Sequence, residues 1–153
     1  MSAADIDFPT AGRFVGREHR FPVRVYFEDT DFSGVVYHAN YLRFMERARS
    51  DMLRVAGIDQ RAAFDGAEGV YAVADLNIQY KRPAHFDDAL LIISTVDQLR
   101  AAACIIQQRI WRGDDLIADA RVTAAFITPE GRPRRQPAAW VEAFTRLLPN
   151  QTL

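Results

Sequence analysis

Apolar and polar residues change rhythm several times along this chain, and each change marks an element. From about His19 to Glu28 they alternate, with Val23, Val25 and Phe27 on one side and Arg24, Tyr26 and Glu28 on the other. That is the period of a half-buried strand. After a run of turn formers, Asp29-Thr30-Asp31-Phe32-Ser33-Gly34, the period lengthens. Tyr41, Met45, Ala48, Met52 and Val55 recur at helical spacing and make one apolar stripe, widened by Leu42, Leu53 and Ala56. Arg43, Glu46, Arg47, Arg49 and Ser50 supply the polar surface. Asn40 is positioned as the N-cap and Gly57 as the C′ residue of this helix. From Val70 the alternation returns and runs to Lys81, stopping before Pro83.

The rest of the chain extends the pattern. Asp59 to Phe64 reads as a short second helix. Asp87-Asp88 is a turn, and Ala89 to Leu99, Ala102 to Trp111 and Leu116 to Ile127 are three further strands. The break at Arg112-Gly113-Asp114-Asp115 makes the last two a hairpin. Pro137 to Leu148 reads as a C-terminal helix. An amphipathic helix and a sheet with one apolar face pack most economically as an α+β fold: a five-stranded antiparallel sheet wrapped around one long helix. Residues 1–17 lack periodicity and read as an extended N-terminal arm, leaving 18–150 as one domain. A sheet of this size has edges, and pairing two subunits edge to edge would hide them.

Composition narrows the function classes. The chain has 153 residues, enough for one domain that buries roughly 70% of its unfolded surface. Its net charge of −1 argues against a general polyanion-binding surface and so against nucleic acid. Lys81 is the only lysine, so the positive charge is almost all arginine, which suits bidentate contact with phosphate or carboxylate. Cys104 is the only cysteine; it excludes an intrachain disulfide and fits a reducing compartment. The first residues carry acids and lack an apolar core, unlike a signal peptide, and no apolar run approaches the ~20 residues of a membrane span. The expectation is a cytoplasmic protein.

Candidate chemistry concentrates between Glu28 and Tyr41. Three carboxylates (Glu28, Asp29, Asp31), His38 and the turn residue Gly34 fall in this stretch, just before the long helix. A helix start presents free N–H groups and partial positive charge. A carboxylate beside it can act as base or nucleophile on a polarised carbonyl.

Three segments carry a resemblance: Glu28-Asp29-Thr30-Asp31; Gly34-Val35-Val36-Tyr37-His38-Ala39-Asn40-Tyr41; and Glu46-Arg47-Ala48-Arg49. Together they resemble the hotdog-fold thioesterases of the 4-hydroxybenzoyl-CoA thioesterase family. The resemblance is closest to the bacterial branch associated with the Tol–Pal envelope system. Tyr80-Lys81-Arg82-Pro83-Ala84, followed by Asp87-Asp88, is similar to the family's second recurrent segment. The resemblance implies a hotdog fold in dimers or tetramers, with the site at a subunit interface. It implies hydrolysis of acyl-CoA thioesters, with acyl carrier protein as a second candidate carrier, and no metal or organic cofactor. Asp31 takes the position of the family's catalytic aspartate, and the backbone N–H aimed at the thioester carbonyl falls on His38. Gly34, Val36, Tyr37, Tyr41 and Arg82 fall where substrate contacts are expected. Phe32 and Ser33 stand where many relatives carry smaller residues, which leaves the acyl preference open.

Other readings of the same residues stay beside this one. Asp29 and Asp31 are also good turn and capping residues, and His38 can order the loop with its side chain. Glu46, one turn from Arg43 and Arg49, suits ion pairing and is the reserve carboxylate. Arg82 and the run Arg132-Pro133-Arg134-Arg135 suit either CoA phosphates or solvent. Cys104 shares a strand face with Ile106 and Ile110 and reads as core. Asp31, Ser33 and His38 contain the letters of a serine triad without a nucleophile elbow. Asp29, Asp31 and His38 match no metal-ligand spacing. At the level of function, a hotdog hydratase or dehydratase and a non-catalytic acyl-thioester binding module are the alternatives to a thioesterase.

Overall fold

A computed structural model describes residues 7–149 of the chain. The first part of the expected N-terminal arm, residues 1–6, lies outside the described residues, as does residue 150. The elements are β1 (Arg13–Val15), β2 (Glu18–Arg24), a 3-10 turn (Phe27–Asp29), α1 (His38–Val55), α2 (Gln60–Asp65), β3 (Val70–Tyr80), β4 (Ala89–Arg100), β5 (Ala103–Arg112), β6 (Asp115–Ile127) and α3 (Ala138–Thr145). All strand pairs are antiparallel, in the order β1-β2-β4-β5-β6-β3.

The sheet therefore has six strands rather than five. The extra one, β1, comes from the segment expected to be an extended arm: Arg13 pairs with Arg20 and Val15 with Glu18. The first long strand also ends earlier than its alternation suggests. Glu28 is not in a strand, because Phe27–Asp29 coils into a turn. The Asp29 carboxylate accepts the Tyr26 N–H at 2.8 Å and locks that turn.

The apolar stripe of α1 enters the core as its spacing predicts. Tyr41, Phe44, Met45, Ala48, Met52 and Leu53 are buried, whereas Val55, at the helix end, is 40% exposed. The first half of the helix packs with Val25, Leu90, Ile92, Ile110 and Ile117. Its second half joins Val96, Cys104, Ile106 and Phe144. Phe144 lies on α3, so the C-terminal helix closes this second cluster. Gly57 follows the helix at φ +89°, the left-handed conformation of a helix stop.

β3 departs from simple alternation. A register shift between Val73 and Asp75 bulges the strand against β6, and no residue of β3 is fully buried. It is the last strand of the sheet and leaves an edge eleven residues long among the described residues.

Candidate active site

The loop between the 3-10 turn and α1 is folded back on itself by backbone bonds. The Asp31 N–H donates to Val35 O at 2.9 Å and the Gly34 N–H to Asp31 O at 3.0 Å. Gly34 makes that reversal at φ +84°, a conformation that costs a side chain about 1–2 kcal/mol. No atom lies within 4 Å of where a Cβ would stand, so the demand for glycine here is conformational. Asp29 O then closes the loop, accepting from the Tyr37 N–H at 3.0 Å and from Asn40 Nδ2 at 2.9 Å.

That closure corrects the expected helix start. Tyr37, not Asn40, is the N-cap, and it makes no side-chain cap bond. Asn40 lies inside the helix because its amide is committed to Asp29 O. In the first turn the Asn40 N–H donates to Tyr37 O at 2.8 Å, and the N–H groups of His38 and Ala39, at the very start of the helix, have no carbonyl a turn before them within it. Asp29 is structural with both its groups, as one of the two sequence readings has it.

Asp31 is exposed at the tip of this loop. Its Oδ1 accepts from the Ser33 Oγ–H at 2.5 Å and from the Ser33 N–H at 2.8 Å. These bonds from Ser33, hydroxyl first, hold the carboxyl below its usual range, with a smaller contribution from the charge of His38. Asp31 is therefore a carboxylate at neutral pH. Ser33 donates to Asp31 and makes no bond to His38, so the three do not form a nucleophilic triad.

A cleft of about 280 Å³ opens at the start of α1, lined by Val36, His38, Tyr41, Tyr80, Lys81, Arg82 and Pro83. Four residues singled out in the sequence thus meet there: Val36, His38, Tyr41 and Arg82. The Tyr41 hydroxyl is turned inward and accepts the Ala84 N–H at 3.0 Å. Tyr37 is 46% exposed and packs against the His38 ring, with centroids 4.5 Å apart. Arg82 pairs with Asp115 at 3.2 Å and keeps most of its side chain in solvent.

Tyr80 was not among the expected site residues. Its hydroxyl donates to His38 O at 3.2 Å and its ring stands edge-on to that of His38. It ties the end of β3 to the helix start. Its place inside the second recurrent segment was the signal that could have found it.

Other candidates fall away from Asp31. Glu46 lies two turns into α1, and among the described residues it makes no ion pair with Arg43 or Arg49, contrary to the expected role. Arg132, Arg134 and Arg135 follow Ile127, which pairs with Val70 at the opposite end of β3 from Tyr80. Arg134 instead donates to Glu68 O at 2.7 Å. Cys104 is buried, and burial pushes its thiol up to about 12, so it is core. Among the described residues no group of three or more His, Cys, Asp and Glu side chains is placed to hold a metal ion. Nor is any helix among them long and apolar enough to cross a membrane.

Known proteins resemble this chain in sequence and in fold. The family model of the thioesterase-like superfamily matches residues 25–148. The acyl-CoA thioester hydrolase YbgC of Escherichia coli is 40% identical over 128 residues, covering 82% of this chain and 94% of that protein. The acyl-CoA thioesterase YbgC of Haemophilus influenzae is 39% identical over 107 residues, covering 70% and 79%. The crystal structure of a probable thioesterase from Bartonella henselae superposes with a TM-score of 0.76 at 41% identity, covering 78% of this chain and 99% of that one. A helix wrapped by an antiparallel sheet, with a carboxylate loop at its start, is thus found in a chain that belongs to the thioesterase-like superfamily of hotdog enzymes.

Proposed function

We propose that this protein hydrolyses acyl-CoA thioesters to the free acid and CoA thiol, with Asp31 as the reacting carboxylate. The observation that carries the reading is the Asp31–Gly34 turn set immediately before the free N-terminus of α1, in a chain of this superfamily. The leaving group makes the modest machinery sufficient. A thiol of pKa about 8.5 departs without a strong general acid. The His38 N–H stabilises the developing oxyanion, a donation worth about 3 kcal/mol where such donors have been removed.

Two routes are available to Asp31. It attacks the carbonyl and forms a mixed anhydride that water then opens, or it takes a proton from a water that attacks instead. Label found in the aspartate after one turnover in labelled water assigns the anhydride route, because only water attack on the aspartyl carbon of the anhydride puts it there; label in the acid alone is common to both routes. We assign Gly34, Val36, Tyr37, Tyr41 and Arg82 to the substrate side, with Arg82 reaching CoA phosphate in exchange for Asp115. The His38 side chain, flanked by Tyr37 and Tyr80, orients substrate or water.

The finer expectations belong to the same proposal. The chain acts as one domain that takes in β1 from the expected arm. Copies associate as a dimer or tetramer through sheet edges, β3 being the longer of the two edge strands among the described residues, and place each site at a subunit interface. The lone buried cysteine suits a reducing cytoplasm, and acyl carrier protein is an alternative carrier to CoA. The test is release of free thiol from short-chain, long-chain and aromatic acyl-CoAs. A hydratase leaves the thioester intact, and a binding module retains acyl-CoA without turnover; either result would overturn the reading.

A further inference from the structure

The start of α1 is not the only open space beside that helix. A larger cavity of about 520 Å³ follows along the same seam between α1 and β3, from Leu42 to Leu53 on the helix and from Leu76 back to Tyr71 on the strand. Its deep wall is apolar, with Ile106 and Phe144 among the lining residues. Its charged lining is Arg43, Glu46 and Arg49, two positive groups against one negative.

Arg49 is unusual among these. Its Nη1 donates to Gln108 Oε1 at 2.9 Å. Gln108 is fully buried, and its Nε2 donates to Met45 O at 2.9 Å and to Ser94 Oγ at 3.0 Å. An amide nitrogen has two hydrogens, and both are used, so the oxygen of Gln108 must face Arg49. The guanidinium is thereby held in one orientation by a neutral acceptor. Among the described residues no carboxylate oxygen comes within 4.0 Å of it, and only the bond to Gln108 engages the fork. Burial disfavours its charged form, with Glu46 partly offsetting this. A neutral donor could satisfy Gln108 at less desolvation cost. A fixed, partly desolvated cation beside an apolar cavity instead matches an anionic group on a largely apolar ligand.

We propose that this cavity receives the far end of the acyl group and that Arg49 selects acyl groups ending in a carboxylate. The inference rests on the thioester-hydrolase reading above. Arg49 lies eleven residues beyond His38, about 16 Å along the helix axis at 1.5 Å per residue. An acyl group of medium length running along the seam from the His38 end meets the guanidinium with its distal end.

The test compares kcat/KM for two eight-carbon thioesters, suberyl-CoA and octanoyl-CoA, which differ in the terminal carboxylate. Wild type is expected to favour suberyl-CoA by about 10-fold or more, and raised salt should shrink that preference. Arg49→Met should lower the suberyl-to-octanoyl ratio about 10- to 100-fold, the range of a hydrogen bond to a charged group, chiefly through KM. Arg49→Lys should retain part of the preference. A wild type that hydrolyses both thioesters without preference overturns the inference and leaves the hydrolase reading intact, whether or not the variants fold. Equal losses on both substrates in Arg49→Met also overturn it, and a changed sedimentation mass with them assigns the seam to a subunit contact. A wild type that hydrolyses neither, yet releases thiol from another acyl-CoA of the short-chain, long-chain and aromatic panel, overturns this inference alone, and one that hydrolyses nothing in the panel overturns both readings.

Discussion

Ser33 sets how readily Asp31, the proposed reacting carboxylate, takes up a proton. Its hydroxyl and its N–H both donate to Asp31 Oδ1, and they favour the ionised form. A lowered pKa keeps the carboxylate available at lower pH, so the acid limb of kcat/KM should lie below the ordinary aspartate value of about 3.9. Ser33→Ala removes the hydroxyl bond and should move that limb upward. A pH profile unchanged by the substitution would contradict this role. The turn from Asp29 to Gly34 before the helical stripe was legible in the sequence because turn chemistry is local, whereas Asp31 was singled out among its carboxylates by the family resemblance. It also flagged Ser33 as a departure from relatives, but not that its hydroxyl would fold back two residues onto Asp31. Asn40 misled for a related reason. Its type suits an N-cap, yet the loop closes on Asp29 O and takes the amide.

Helix α1 is fixed to the sheet by more than its apolar stripe. Asp51, on the helix, accepts at Oδ2 from His19 Nε2 on β2 at 2.7 Å and from the Gly12 N–H at 2.8 Å. A side chain at Gly12 would stand 2.5 Å from Arg20 O, so only glycine lets this segment approach. His19 is wholly buried, between Phe14 and Phe21. Burial lowers its pKa, outweighing the opposite pull of Asp51, whose other oxygen has Arg54 at 3.9 Å. The native state therefore holds His19 neutral to lower pH than the unfolded chain, which takes up a proton below about pH 6.5. The unfolded state binds more protons there, so stability is full above that pH and declines beneath it. The melting temperature should fall on acidification from pH 7.5 to pH 5. His19→Gln, which still donates to Asp51 but does not titrate, should flatten that fall. An equal slope in both proteins would exclude His19 as its source. None of this was legible in the pattern of the chain. His19 and Asp51 are 32 residues apart, and β1, only three residues long, is too short to show a period. The long strands and α1 were legible because burial repeats along them at fixed spacing. β3 was only partly so, its alternation being interrupted by the bulge at Val73 to Asp75.

At the scale of the whole molecule, the order of strands leaves β3 as a long edge, with Val73 52% exposed on it. Exposed edges of this length invite pairing, and the seam that joins the helix start to the Arg49 cavity runs beside the same strand. Val73→Lys should therefore lower the sedimentation mass toward that of one chain and depress turnover with it. An unchanged mass would contradict the proposed pairing along β3. The proposed function rests on Asp31, and the most direct measurement is thiol release from acyl-CoAs by wild type and by Asp31→Asn, with folding and mass confirmed for both. The amide keeps the shape of the side chain but is neither base nor nucleophile. The account predicts a loss on the order of a hundredfold or more in kcat, within the range for general-base catalysis. A folded Asp31→Asn protein that hydrolyses acyl-CoA at the wild-type rate would contradict it.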